Sequence, residues 1–148
     1  MEPNIQINMT AVLIAVVANF IFGAIWYMPL FGKVWGKEMK MDMTGPKPSA
    51  SFMIKGMSLM IIGNFLMAYV FAHNIAVWNP ITWSQPASAM TTGQIASAAA
   101  IFTWLGFYLP QDLSKIAWEG ASWKLFFINT VYHFLSLLIA AIILVKMM

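Results

Sequence analysis

The sequence predicts an all-α fold, a polytopic membrane protein in which residues 1–148 form one four-transmembrane-helix bundle. Three observations predict it. The chain is 61% hydrophobic and 9% charged, whereas a soluble domain carries roughly a quarter charged residues and needs them to cover its surface. The charges are also segregated: Pro3–Gly32, Gly56–Gln111 and Leu125–Val145 are uncharged runs of 30, 56 and 21 residues. A span needs about 20 apolar residues, so these runs hold one, two and one spans.

The first run predicts a helix over 9–31, preceded by polar Asn4, Gln6 and Asn8 and followed by Gly32. Residues 32–51 carry Lys33, Lys37, Glu38, Lys40, Asp42 and Lys47 with the turn formers Gly45, Pro46 and Pro48, the composition of a loop that opens with a short surface helix. The 56-residue run is interrupted by Asn74, Asn79-Pro80, Gln85-Pro86 and Thr91-Thr92-Gly93. It resolves into helices over 52–75 and 94–109. Trp78 and Trp83 in the connector suit the membrane interface, where an indole keeps its polar edge wet. After Pro110, the spacing of Asp112, Lys115 and Glu119 by three and four residues predicts a short helix lying in the interface, with Lys115 paired to the carboxylates. The last helix is expected over 123–146.

All eight basic residues are Lys. Seven of them flank the first and third loops, and only Lys146 lies at the other end. The positive-inside rule then places those loops in the cytoplasm and both termini outside it. The N-terminus leads from Glu2 into a run long enough to span, so the first segment is expected to stay in the mature protein. The net charge of +3 reads as a topology signal, and no nucleic-acid partner is expected. The chain has no cysteine, which removes disulfides, thiolate nucleophiles and Cys-based metal sites. No Gly-rich phosphate loop, nucleophile elbow or metalloprotease helix occurs. No catalytic residue, cofactor or metal is assigned, and the three methionines Met39, Met41 and Met43 are read as composition.

Two stripes of small residues recur at four-residue spacing: Ala11, Ala15, Asn19 and Gly23 on the first helix, and Gly56, Met60, Asn64, Ala68 and Ala72 on the second. Such stripes let membrane helices approach closely. At about 1.5 Å per residue, Asn19, Asn64 and His133 all fall near the middle of a hydrocarbon core about 30 Å thick, and they are expected to converge inside the bundle. Asn129 precedes His133 by one turn, on the same face. Two readings of this candidate polar site stay open. One is interhelical hydrogen bonding, worth about 0.6 kcal/mol per contact. The other is a ligand or proton site, since ionisable groups in a membrane are costly and often functional. Trp26, Tyr27 and Trp104 lie at equal depth nearer the lysine-rich side and are expected to form an aromatic cluster. Pro29 lacks the N–H that would bond back to Ile25, so the first helix should bend or end there. His73 falls at the opposite end of its helix from His133's partners, which argues against a two-histidine metal site.

The stretch Gly23-x-x-Trp26-Tyr27-x-Pro29-Leu30-Phe31-Gly32-x-x-Trp35 resembles the signature of domain-of-unknown-function family 1761, small bacterial membrane proteins. Trp104-x-Gly106-Phe107 and the segment from Trp123 to Tyr132 are similar to that family's second block. The resemblance covers nearly the whole chain. It implies a four-helix protein of the bacterial inner membrane, and it brings no activity, catalytic residue or cofactor with it.

Two function classes follow. The first is a non-enzymatic structural or accessory bundle, with membrane lipids as partners and self-association into a homo-oligomer. The second is a small-molecule or ion transporter with Asn19, Asn64 and His133 as a midplane polar site.

Overall fold

The computed structural model describes residues 3–87 and 89–148. Among them every regular element is helical and none is a strand. Three helices are long and apolar enough to cross a membrane: α1 (Met9–Leu30), α3 (Ala50–Trp78) and α6 (Trp123–Lys146). Between them lie the short α2 (Gly32–Glu38), then α4 (Thr92–Thr103) and α5 (Leu109–Glu119).

Four of the starts are capped by the residue the sequence supplies there. The side chains of Asn8, Ser49, Thr91 and Ser122 accept from backbone N–H groups of the first turns of α1, α3, α4 and α6, groups that have no partner within their own helix. Thr91 and Gln94 form a full capping box. The observed α3 is longer at both ends than the expected 52–75. The reason is local: Ser49 caps it early, and it stops only at Asn79, whose extended backbone precedes Pro80.

Pro29 acts as the sequence predicts, with one refinement. The α-helical ladder of α1 ends at Ile25, and Trp26–Leu30 form a wider π turn closed by Phe31 N–H donating to the Trp26 carbonyl at 2.9 Å. A proline has no N–H to give the preceding turn, and adding a residue to the turn relieves the clash of its ring. The chain then turns at Phe31 into α2.

The same device corrects the third helix. The expected end at 109 and the separate helix after Pro110 are not found. A second π turn, Trp104–Tyr108, joins α4 to α5, and Leu109 N–H donates to the Trp104 carbonyl. Residues 92–119 therefore run as one helical rod of about 42 Å at 1.5 Å per residue, and Pro110 sits in the first turn of α5, where its missing N–H costs little.

The helices run up and down. Asn8 Nδ2 donates to the Met147 carbonyl at 2.8 Å and Asn4 N–H to the Thr82 carbonyl at 3.0 Å, which ties the start of α1 to the ends of α3 and α6. At the other end Ser122 hydrogen-bonds Glu38, fixing α2 against the start of α6. Seven of the eight lysines belong to that second, lysine-rich end. In its loop the Asp42 carboxylate accepts from Thr44 Oγ1, Thr44 N–H and Gly45 N–H, and these bonds hold its pKa below the ordinary carboxylate value.

The core has two layers, and α6 belongs to both. Toward the lysine-poor end, Ala11, Ala15, Ala68, Ala72, Ala96, Ala100, Ala140 and Ala141 are buried around Leu137 and Leu144. Small side chains bring the backbones together, which is how helices gain contact where the solvent itself is apolar. Toward the lysine-rich end, Trp26, Ile128 and Tyr132 form a second cluster with Phe22, Tyr27, Phe31 and Trp35 around it. The α1 stripe is buried along its length, whereas the α3 stripe is buried only at Ala68 and Ala72. Gly56 is exposed with nothing near it, and α3 is exposed from its start as far as Met60, whose methyl reaches Gly23.

Candidate polar cleft

A cleft opens between α3 and α6. Met60, Gly63, Asn64 and Met67 of α3 line one side, and Tyr132, His133 and Ser136 of α6 line the other, with Tyr27 and Tyr108 between. Its volume is about 300 Å³.

His133 organises the site. Its Nδ1 lies 2.7 Å from Asp112 Oδ2, and Lys115 Nζ donates to Asp112 Oδ1 at 3.1 Å. The Asp112 side chain is 2% exposed, His133 is half-buried, and Lys115 reaches outward. An ionised carboxylate only accepts, so with Asp112 charged the proton of a neutral His133 sits on Nδ1 and Nε2 is left as an acceptor. Lys115 supplies the compensating charge that a buried carboxylate needs. The rings of Tyr108 and Tyr132 stand 5.1 and 5.8 Å from the imidazole. Tyr27 donates its hydroxyl to Asn129 Oδ1 at 3.0 Å.

The three polar residues expected at mid-depth, and Asn129 one turn from His133, take different places. Asn64 and His133 line the cleft, and Asn64 Nδ2 is buried without a hydrogen-bond partner among the described residues. Asn129 is held by Tyr27. Asn19 lies outside the cleft lining, is 0% exposed, and neither its Oδ1 nor its Nδ2 has a partner among the described residues. The level of Asn19 follows from Gly23, one turn below: a Cβ there would fall 2.5 Å from Met60 Cε and 2.9 Å from Tyr132 Oη. In an antiparallel pair, a turn up each helix from Gly23 and Met60 brings Asn19 level with Asn64.

Asn19 therefore carries a prediction. An unmade hydrogen bond on a buried group costs about 1–3 kcal/mol, so Asn19→Leu, similar in size and apolar, should raise the thermal stability of the purified protein by about that amount. A clear loss of stability would show that the amide is paired in the membrane, through water or a ligand.

Trp26, Tyr27 and Trp104, expected in one aromatic cluster, have separate partners. Trp26 donates Nε1–H to the Ile128 carbonyl at 3.1 Å, and its ring packs on Phe31 and Tyr132. Trp104 instead donates to the Thr130 carbonyl at 3.0 Å and packs on Phe134. Residues 128 and 132 lie on the opposite face of α6 from 130 and 134, so α6 separates the two indoles, which form two clusters and not one.

Asp112 was the residue sequence reasoning placed wrongly. It does pair with Lys115 as expected, but it is buried and serves His133 as well. Seven residues before the end of α5, it lies about 10 Å inside the rod at 1.5 Å per residue. The same depth count that singled out His133 would have found it, had the helix been continued through Pro110. His73 is at the lysine-poor end, its Nδ1 2.9 Å from the Tyr69 carbonyl, and takes no part.

Three helices long and apolar enough to cross a membrane, in a fold with no strand among the described residues, define the class: an all-helical protein of membrane-spanning type. Residues 10–145 match the family described as Protein of unknown function (DUF1761), and the chain belongs to that family. No curated protein and no solved structure matches the chain.

Proposed function

We propose that the protein is a four-span, non-enzymatic bundle of the bacterial inner membrane that binds a small polar or protonatable molecule in the His133 cleft, as a carrier or transporter would. The observation that carries this reading is the Asp112–His133 pair. An imidazole and a carboxylate are expensive at membrane depth and are found there chiefly on substrate or proton paths, and this pair borders an open cleft. Continuity of α4 with α5 supports a fourth span, because the rod exceeds the hydrocarbon thickness and α4 packs along α6. The lysine bias supports a cytoplasmic lysine-rich end with both termini outside.

Ligand binding is tested by thermal-shift screening of the purified protein against its His133→Gln variant. Compounds that stabilise only the former are the expected result, and a screen in which no compound distinguishes the two overturns the reading. For topology, the cysteine-free chain accepts single probes. Thr91→Cys should react with a membrane-impermeant maleimide on intact cells, and Lys40→Cys only after permeabilisation. The reverse pattern would invert the protein.

A second reading, an accessory bundle that self-associates, is favoured by the first half of α3. Phe52, Ile54, Leu59 and Ile62 are exposed there, and Gly56 and Gly63 offer bare backbone to a neighbour. Cross-linking that yields a discrete dimer in lipid, lost in Gly56→Leu, would support it.

A further inference from the structure

The chemistry of the cleft narrows its ligand, given the binding reading above. Three of the cleft groups that make no hydrogen bond among the described residues set its chemistry: the Tyr108 hydroxyl, Asn64 Nδ2 and His133 Nε2. The first two are donors, and the third accepts when the Nδ1 proton is held by Asp112. A complementary molecule offers oxygens that accept from Tyr108 and Asn64 and a hydroxyl that donates to His133. The site's charges are already matched, Asp112 by Lys115, so the molecule is neutral. It is also lipophilic. On the α3 side of the cleft, between half-buried Met60 and Met67, Gly63 is exposed and has open space where a side chain would stand. The entrance therefore faces acyl chains and not an aqueous loop. A volume of about 300 Å³ is at the lower end for ligand pockets. It suits one substituted ring, and the rings of Tyr27, Tyr108 and Tyr132 supply flat walls.

From these requirements we infer that the cleft binds a membrane-dissolved quinol by its ring oxygens, with its isoprenoid tail leaving past Gly63 into the bilayer. One ring hydroxyl donates to His133 Nε2, and ring oxygens accept from Tyr108 and Asn64. No electron is transferred in this step. The quinone binds more weakly, because it has no hydroxyl hydrogen to give the imidazole.

The test uses the full-length protein in nanodiscs, titrated anaerobically with ubiquinol-1 and separately with ubiquinone-1, with binding read by calorimetry against empty nanodiscs. The expected result is saturable binding of one quinol per cleft, tighter than the quinone. Tyr108→Phe, which removes one oxygen, and Asn64→Leu should each weaken it about tenfold, while melting curves show both variants folded. Uptake that never saturates, or that matches empty nanodiscs, overturns the inference, as does binding that Tyr108→Phe and Asn64→Leu both leave unchanged. If quinol fails while another compound still stabilises the protein in a His133-dependent way, the ring chemistry falls and the binding reading survives. If neither responds, both fall.

Discussion

Replacing Asp112 by Ala is expected to destabilise the protein by about 3 kcal/mol, the low end for removing one partner of a buried pair. The carboxylate is 2% exposed and accepts from both His133 and Lys115. Its loss strands an imidazole N–H inside the bundle. Lys115 contributes less to the effect, since its side chain is 41% exposed and can turn to water. Asp112→Asn should cost less, because its amide oxygen still accepts from His133 Nδ1 while the charge for Lys115 is gone. Thermal unfolding in mild detergent reads the series. If Asp112→Ala melts with the parent protein, α5 does not bury that face against α6.

Ala15→Leu should be comparably severe, at about 2–3 kcal/mol, the upper range for overpacking a filled interior. Ala15 is 0% exposed in the alanine layer, where buried alanines of α1, α3, α4 and α6 meet. Three added carbons have no void to enter, so helices must separate, and every contact along the seam loosens. Val17, two residues on and 58% exposed, is the control, and Val17→Leu should change stability by no more than about 0.5 kcal/mol. Equal melting temperatures for the two variants would mean that the stripe faces lipid.

Much of this was legible in the sequence for a definite reason. A membrane span has to satisfy its backbone internally and to be apolar over its length, so uncharged runs and lysine positions carry the architecture of the chain. The α1 stripe was readable because spacing of four places Ala11, Ala15, Asn19 and Gly23 on one face whatever the helix meets. The limits were equally physical. A proline reads as a stop or a bend, and at Pro29 the first helix does end within two residues, but at Pro110 a π turn adds a residue and the rod goes on, and nothing in composition distinguishes a π turn from an end. Taking Pro110 as a stop hid Asp112. Equal depth suggested that Trp26 and Trp104 meet, but depth fixes one coordinate of three, and the thickness of α6 lies between them.

The sequence by itself determined that the chain is helical and of membrane-spanning type, where α1 and α6 start, and that Asn19, Asn64 and His133 lie well inside their helices, because these depend on hydropathy, caps and helical rise along one segment at a time. Only the tertiary structure decided that Asp112 of α5 meets His133 of α6, that Asn129 is held by Tyr27, and that a cleft opens between α3 and α6. Those contacts depend on the rotation and separation of one helix against another. In an apolar solvent these are set by side-chain packing and a few hydrogen bonds, with little hydrophobic patterning left along the chain to record them.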